Sequence, residues 1–338
     1  MNDDQPAVRW GVLGAANIAV AKVIPAMMRS TRSRVVAIAS RDQSKAAAAA
    51  KTLGIPRAHG SYEALLADPE VDAVYNPLPN HLHVPWSIRA AQAGKHVLCE
   101  KPIALSAAEA EELRTARDRT GVLIGEAFMV RAHPQWLEAR RLVESGSIGP
   151  LRLVSGHFSY YRRDPRDIRS RPEYGGGALM DIGCYPITIS RWMFAAEPIE
   201  VIAQIERDPE YGVDRLASAL LRFAAGQAVF ACSGQLVPFQ RMEIFGTTGR
   251  IQVEIPFNAP PDRPCRIVVD DGSALGGLSA KPIEFPTVDQ YTLQADRFSD
   301  AIRGRGTIPV SIDDAVGNMA VIDALFRSAD SGRWEAPA

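Results

Sequence analysis

The sequence is poor in cysteine, and the cysteines it has are not paired in metal-binding or redox motifs. The four of them, Cys99, Cys184, Cys232 and Cys265, stand far apart without a CxxC motif. Zinc clusters and disulfide frameworks both need cysteines at short recurring spacings. We therefore predict reduced thiols, as is usual in a cytosolic protein, and no metal site.

The chain also lacks an excess of charge of either sign and any long apolar run. Lys and Arg number 38 and Asp and Glu 39, which gives a formal net charge of -1 and a pI near 6.6. Binding of nucleic acid or an anionic membrane needs a basic surface, and a membrane span needs about 20 apolar residues. The first residues are acidic and do not follow the signal-peptide pattern. These absences predict a soluble, cytoplasmic protein whose partner is a small molecule, with no nucleic acid and no membrane.

The 338 residues are enough for two domains. From Val8 to about Ile124, short β-branched runs alternate with longer Ala-rich periodic runs, which is typical of a doubly wound parallel sheet with crossover helices. After a helix near Pro134–Ser145, alternating segments indicate a mostly antiparallel sheet. The predicted fold class is α/β, with a Rossmann domain over 1–128 and an α+β domain with a large open sheet over 129–338. The C-terminal helices of the second domain are free to pack back on the first.

The first predicted strand ends in a glycine turn of the kind that binds dinucleotide phosphates. Gly14 opens the sequence GAANIA, where it permits a tight turn and the N–H groups of the following helix point at a pyrophosphate. Ala16 replaces the usual middle glycine, so an ordinary strand–helix turn is the alternative. The predicted cofactor contacts in this turn are Gly14, Ala15, Ala16, Asn17 and Ile18.

The second predicted strand ends without the carboxylate that an NAD-specific site uses for the ribose 2′-hydroxyl. Ser40 and Arg41 follow instead, with Lys45 one helical turn later. A hydroxyl and two cations suit a 2′-phosphate, so NADP is the predicted cofactor. The carboxylate of Asp42 could reach a ribose, which leaves NAD possible. The alternative interpretation is that Arg41 and Lys45 are ordinary exposed residues at the start of a helix.

Two prolines after the third predicted strand give an extended lip for the nicotinamide half of the cofactor. The contacts predicted here are Pro77, Leu78, Asn80 and His83, of which Asn80 and His83 offer hydrogen bonds to riboses. His81 and His83 lie two residues apart but have no carboxylate at a useful spacing, so a metal site is not predicted. Asn80 is also suited to cap a helix.

The residues best suited to catalysis are a lysine, a carboxylate and a phenol. Lys101 follows Glu100 at the end of a strand, where Pro102 stops the ladder and the ammonium enters the ligand crevice. Downstream, the run GGGALMDIGCYP places Asp181 and Tyr185 on one helical face. A nearby cation such as Lys101 would lower the pKa of the phenol. A strand-end ion pair and a packed helix tyrosine are the structural alternatives.

Taken in order, these motifs resemble the Gfo/Idh/MocA family of NAD(P)-dependent oxidoreductases over about the whole chain. The segments that carry the resemblance are GAANIA, PNHLH, CEKP, EAFMVRAHP and GGGALMDIGCYP. They are most similar to the branch that contains D-xylose dehydrogenases, dimeric dihydrodiol dehydrogenases and glucose-fructose oxidoreductases. The resemblance implies a homodimer or homotetramer formed through the C-terminal sheet.

The resemblance also implies roles for individual residues. Lys101, Asp181 and Tyr185 match the catalytic positions and are expected to contact the substrate as well. A tyrosine at the last position, where some members have histidine, favours an aldose as substrate. Arg169 matches a family arginine only loosely, because its segment lacks the tryptophan. The other implied contacts are Glu100, Lys101 and Arg131 at the cofactor, and Tyr161 and Arg169, with Arg131, at the hydroxyl groups of the substrate.

The expected activity is transfer of hydride between NADP and C1 of an aldopyranose, such as D-xylose or D-glucose, to give a lactone. Tyr185 would take the proton of the C1 hydroxyl while Asp181 orients the sugar. Three alternatives remain: an aldose-aldose oxidoreductase that retains NADP, a trans-dihydrodiol dehydrogenase, and a non-catalytic sugar or dinucleotide sensor. The presence of all three catalytic side chains disfavours the sensor.

Overall fold

The computed structural model describes residues 6–337, which divide into two compact units. The first unit runs to Ala132 and also includes Asp289–Val316. The second contains His133–Val288 and the chain from Gly317 onward. Among the described residues, no helix combines the length and the apolar character needed to cross a lipid bilayer.

Residues 6–337 contain fourteen strands in two sheets. In chain order they are β1 (Val8–Leu13), β2 (Ser33–Ala39), β3 (Arg57–His59), β4 (Ala73–Asn76), β5 (His96–Cys99), β6 (Ile124–Glu126), β7 (Leu151–Tyr161), β8 (Glu200–Arg207), β9 (Asp214–Arg222), β10 (Gln227–Ser233), β11 (Gln235–Gly246), β12 (Arg250–Val253), β13 (Cys265–Asp270) and β14 (Lys281–Phe285).

The same part of the chain contains nine α-helices, two of which continue from a π-helical segment. The helices are α1 (Ile24–Met28), α2 (Gln43–Leu53), α3 (Tyr62–Leu66), α4 (His83–Gln92), α5 (Ala107–Thr120), α6 (Pro134–Glu144), α7 (Cys184–Phe194), α8 (Gln290–Ile302) and α9 (Ile312–Ser331). The π-helical segments are Ala19–Val23 before α1 and Leu179–Gly183 before α7.

Six parallel strands form the sheet of the first unit, in the order β3-β2-β1-β4-β5-β6. Almost all of β1, with the sequence VRWGVL, is buried, as expected for a parallel strand covered on both faces. The predicted doubly wound sheet is therefore confirmed. The strand order reverses between β1 and β4, and at such a point a crevice for a ligand opens beyond the carboxyl ends of the strands.

The helices of the first unit begin and end at residues suited to these positions. The side chains of Asp42, Ser61 and Ser106 accept backbone N–H groups at the starts of α2, α3 and α5. In the core, Phe298 of α8 packs on Trp10 with ring centroids 5.6 Å apart. The segment that returns to the first unit thus contributes to the hydrophobic core of that unit.

Eight strands form the sheet of the second unit, in the order β14-β13-β12-β11-β7-β10-β9-β8. Every neighbouring pair is antiparallel except β7 and β10, which confirms the predicted, mostly antiparallel sheet. Helix α7 packs on β7. This approach is close because β7 carries Gly156, where a side-chain Cβ would lie only 3.2 Å from the Cβ of Pro186.

Candidate active site

The glycine turn after β1 has the geometry expected of a phosphate-binding turn. Gly14 has φ +92°, a conformation that residues with a side chain rarely adopt. Its N–H donates to the carbonyl of Ala39 at 2.8 Å, which fixes the turn against β2. Ala15 and Asn17 are exposed, and helical structure begins at Asn17. The first N–H groups of a helix have no partner within it, so this exposed turn offers donors to a phosphate.

After β2, two cationic side chains are exposed and the nearby carboxylate of Asp42 caps a helix. Arg41 and Lys45 are both exposed, and Ser40 is half-buried. Oδ1 of Asp42 accepts the N–H of Ser44 at 2.9 Å and that of Lys45 at 3.3 Å, so Asp42 is the N-cap of α2. The pKa of Asp42 is lowered first by a hydrogen bond from the Ser44 hydroxyl. The two backbone N–H groups lower it further. The alternative in which Asp42 binds a ribose therefore competes with its capping role.

His83 lies inside the first unit, contrary to the prediction that it bonds a ribose. Its side chain is buried, with 1% of the residue exposed. Nδ1 lies 2.8 Å from the carbonyl oxygen of Pro102, and Nε2 lies 2.7 Å from that of Leu78. Burial lowers the pKa of His83 to about 4, although two carbonyl acceptors favour the protonated ring. Because both ring nitrogens are occupied, His83 joins the Leu78 and Pro102 loops and is not placed to contact the cofactor.

The segment that carries Lys101 is held by its neighbours. Oε1 of Glu100 accepts a hydrogen bond of 2.6 Å from the hydroxyl of Tyr75, a residue of β4 that is fully buried. Burial and the charge of Glu100 raise the pKa of Tyr75 well above its usual value, so the phenol is the donor. The N–H of Glu100 donates to the carbonyl of Asn76 at 3.0 Å. Lys101 follows directly at the carboxyl end of β5, and the Lys101–Pro102 peptide bond is cis.

Arg131 belongs to the first unit, where its guanidinium pairs with Asp314 at 3.0 Å. Both residues line a cleft of about 510 Å³ that also includes Ile124 and Ile308. The expected contacts of Arg131 with the cofactor and the substrate remain predictions.

In the second unit, Asp181 receives two hydrogen bonds on one carboxylate oxygen. Oδ2 accepts from the hydroxyl of Tyr160 at 2.6 Å and from Nε of Arg169 at 2.8 Å. The carboxylate raises the pKa of Arg169, and burial followed by the charge of Asp181 raises that of Tyr160, so both remain donors at neutral pH. Arg169, matched only loosely by sequence, is thus next to a predicted catalytic carboxylate.

Tyr161, predicted to contact the substrate, lies on the other side of β7 from this cluster. It is 65% exposed, whereas its neighbour Tyr160 reaches Asp181. Successive side chains of a strand point to opposite faces, so of these two adjacent tyrosines only one faces the helix. The expected contact of Tyr161 with the substrate stays a prediction, and Tyr160 is the residue beside Asp181 that the motif search missed. Alternation along β7 from the buried Phe158 would have found it.

Tyr185 is buried to 5% exposure in an aromatic cluster formed by β7 and the loop after β12. Its ring centroid lies 5.8 Å from that of Phe158 and 5.1 Å from that of Phe257. These two rings stack on each other at 4.7 Å. Such packing fixes the direction of the phenol ring. Phe158 and Phe257 carry no motif that would reveal this role.

Two family profiles together match most of the chain. Residues 8–128 match the oxidoreductase family with an NAD-binding Rossmann fold, and residues 136–252 match the GFO/IDH/MocA C-terminal domain. The chain belongs to the Gfo/Idh/MocA family. It is therefore an NAD(P)-dependent oxidoreductase, as the sequence motifs predict.

Individual members of the Gfo/Idh/MocA family are similar over nearly the full length. An uncharacterized oxidoreductase of Rhizobium meliloti is 52% identical, over 97% of this chain and 98% of its own. A D-xylose 1-dehydrogenase (NADP+) of Haloferax volcanii is 38% identical, over 96% and 98%.

Two solved structures have the same fold. One is a 3-ketoreductase from Actinomadura kijaniata in complex with NADP and TDP-benzene, with a TM-score of 0.87 and 30% identity over 95% of this chain and 98% of that chain. The other is an aldose-aldose oxidoreductase from Caulobacter crescentus, with a TM-score of 0.89 and 28% identity over 98% and 99%.

Proposed function

We propose that this protein oxidises an aldopyranose such as D-xylose or D-glucose at C1, with NADP as hydride acceptor, and releases the lactone. The observation that carries the proposal is that Asp181 and the buried Tyr185 lie on one continuous helical segment. Asp181 is fixed there by Tyr160 and Arg169. A buried tyrosine on the same helix as a fixed carboxylate suits proton removal from a sugar hydroxyl. The similarity to a D-xylose dehydrogenase supports the choice of substrate.

The residues of the first unit fit NADP. Backbone N–H groups of the turn from Ala15 to Asn17 would hold the pyrophosphate, and Ser40, Arg41 and Lys45 would hold the 2′-phosphate. Because Asp42 is engaged as an N-cap, the preference for NADP over NAD would depend on the two cations of this turn. When bound, the nicotinamide supplies the hydride-accepting carbon, and the protein supplies binding and orientation.

Each of the three catalytic side chains has a separate task in this proposal. Tyr185 takes the proton from the C1 hydroxyl. Lys101 would lower the pKa of Tyr185, so that the phenolate form that accepts this proton is available, and would hold a substrate hydroxyl. Asp181, held by Tyr160 and Arg169, orients the sugar ring. General-base catalysis of this kind contributes about 10²–10⁴-fold to the rate.

The test is NADP reduction at 340 nm with a panel of aldoses, polyols and trans-dihydrodiols. We expect turnover with D-xylose or D-glucose. Tyr185→Phe should lower kcat by about 100-fold or more and leave NADP binding unchanged. Tyr211→Phe, which changes a tyrosine on the turn between β8 and β9, is the matched control. Near-normal turnover by Tyr185→Phe would assign the proton transfer to another group.

Two related activities have observations in their favour. The structural similarity to the ketoreductase supports reduction of a 3-keto sugar nucleotide, which NADPH consumption with such a substrate would reveal. The similarity to the Caulobacter enzyme supports a closed cycle between two sugars. In that case NADP should remain bound through purification, which mass spectrometry detects, and single aldoses should give no net reduction.

We also propose that copies of the chain associate through the sheet of the second unit as a homodimer or homotetramer. The start of β11 supports this, because Leu236, Val237 and Phe239 are exposed there, Val237 to 76%. Exposed apolar patches commonly mark interfaces. Light scattering after size exclusion should give a mass of two or four chains.

A further inference from the structure

The helix that carries Asp181 and Tyr185 is capped by a residue from another part of the chain. The helical segment begins at Leu179, and Ala178 in the N-cap position makes no side-chain cap. Instead, Oδ2 of Asp214 accepts the N–H of Leu179 at 2.6 Å. Asp214 is the first residue of β9, so a strand supplies the acceptor that the start of a helix needs.

The glycine run before the helix leaves the space that this cap requires. Gly177 has φ +111°, and a Cβ there would overlap Oδ1 of Asp214. A Cβ at Gly176 would meet the carbonyl oxygen of Arg169 at 2.5 Å. The carbonyl of Gly177 accepts the N–H of Asp181 at 3.1 Å. The absence of a side chain at Gly177 therefore lets β9 approach the start of the helix. The absence of one at Gly176 lets the loop of Arg169 do the same.

Asp214 is buried, with 3% of the residue exposed. Burial raises the pKa of Asp214 to about 7, while the N–H groups of Leu179, Asp214 itself and Ala178 and the charge of Arg207 oppose the rise. A buried carboxylate is costly unless it is hydrogen-bonded, and the helix start provides those bonds.

We propose that Asp214 is a positioning residue for the reaction. From β9 it fixes the start of the helix, and through that start the direction in which Asp181 and Tyr185 point. The inference rests on the proposed function for the roles of these two residues. The contact between strand and helix start does not depend on which sugar is the substrate.

The experiment compares Asp214→Ala and Asp214→Asn with a matched control, Asp208→Asn. Asp208 is also buried and also accepts backbone N–H groups, those of Glu210 and Tyr211, but these belong to the turn between β8 and β9. For each variant, kcat, the KM for the sugar, the Kd for NADP and the melting temperature are measured. Amide hydrogen exchange of residues 178–185 is followed in parallel.

We expect Asp214→Ala to lower kcat by about tenfold or more and to speed exchange at residues 178–185, with the Kd for NADP within about twofold of wild type. Asp214→Asn keeps one acceptor oxygen and should recover part of both effects, and it serves as the test if the alanine variant does not fold. Asp208→Asn should lower the melting temperature and leave kcat within about twofold.

Unchanged exchange at residues 178–185 in both Asp214 variants would overturn the proposal. So would an equal loss of kcat in Asp208→Asn at an equal loss of melting temperature, because kcat would then follow stability alone. If wild type turns over no sugar, the proposed function fails. Faster exchange in the Asp214 variants would still establish the cap in that case.

Discussion

At the level of single residues, cofactor choice is expected to depend on Arg41. Arg41→Ala removes a cation that the 2′-phosphate of NADP needs and NAD does not. A hydrogen bond to a charged group contributes ~1.5–3 kcal/mol, so the KM for NADP should rise roughly tenfold or more. Steady-state kinetics with both cofactors measure the change. Arg119→Ala, at an exposed position of α5, is the control. Equal increases in the KM for NADP and the KM for NAD would show that Arg41 does not bind the 2′-phosphate.

A second residue-level prediction separates two neighbouring tyrosines. Tyr160→Phe keeps the ring and removes the hydroxyl that donates to Asp181, so kcat/KM for the sugar should fall about tenfold. Tyr161→Phe, on the exposed side of β7, should change it by less than about twofold. Kinetics of the two variants with one sugar measure the difference. A loss in Tyr161→Phe as large as that in Tyr160→Phe would contradict the assignment by strand face.

The site could be predicted from the sequence only where a residue belongs to a local motif. Lys101 and Tyr185 stand in such motifs, at a strand end and on a helix. Tyr160 and Asp214 could not be found this way, because each acts on a helix that is distant in the sequence. His83 was misplaced for the opposite reason: it stands in a motif, but its side chain turns inward to two carbonyl groups.

At the level of secondary structure, the buried strands and the amphipathic helices follow from periodicity, and two edge strands do not. β3 has three residues, all half-buried, and β14 has the sequence KPIEF with mostly exposed or half-buried positions. Neither carries the apolar run or the alternation that predicts a strand. Both pair at the edge of a sheet, where backbone hydrogen bonds to one neighbour define the strand.

The start of α6 gives a prediction about pH. Nδ1 of His133 accepts the N–H of Gln135 at 3.2 Å, so the cap needs the neutral ring. Burial lowers the pKa of His133 from 6.5 to about 4. The imidazole of His133 therefore binds a proton more readily in the unfolded chain than in the folded protein. The free energy of unfolding that this residue contributes above pH 6.5 is lost as the pH falls towards 4. Between pH 7 and 5 the loss from this residue is about 2 kcal/mol.

His133→Asn tests this prediction, since asparagine also caps helices but does not titrate. Urea denaturation at pH 7 and pH 5 gives the free energy of unfolding of both proteins. The variant should lose less stability than wild type between the two pH values. Equal losses would mean that His133 does not titrate between the folded and unfolded states as its burial implies.

At the scale of the whole molecule, the two kinds of sheet follow from two kinds of hydrophobic pattern. Continuous β-branched runs between helices gave the parallel sheet, and long alternating runs gave the mostly antiparallel one. The membership of Asp289–Val316 in the first unit is not visible in local periodicity. The amphipathic pattern of α8 indicates only that one face is buried. The contact between Phe298 and Trp10 then decides which core it joins.

The central claim, hydride transfer from C1 of an aldopyranose to NADP, is tested most directly with a sugar deuterated at C1. The enzyme is incubated with NADP and C1-deuterated D-xylose or D-glucose, and the reduced cofactor and the sugar product are analysed by mass spectrometry. The expected result is one deuterium in the reduced cofactor and a lactone as the sugar product. Reduced cofactor without deuterium, or no reduction with any aldopyranose, would contradict the claim.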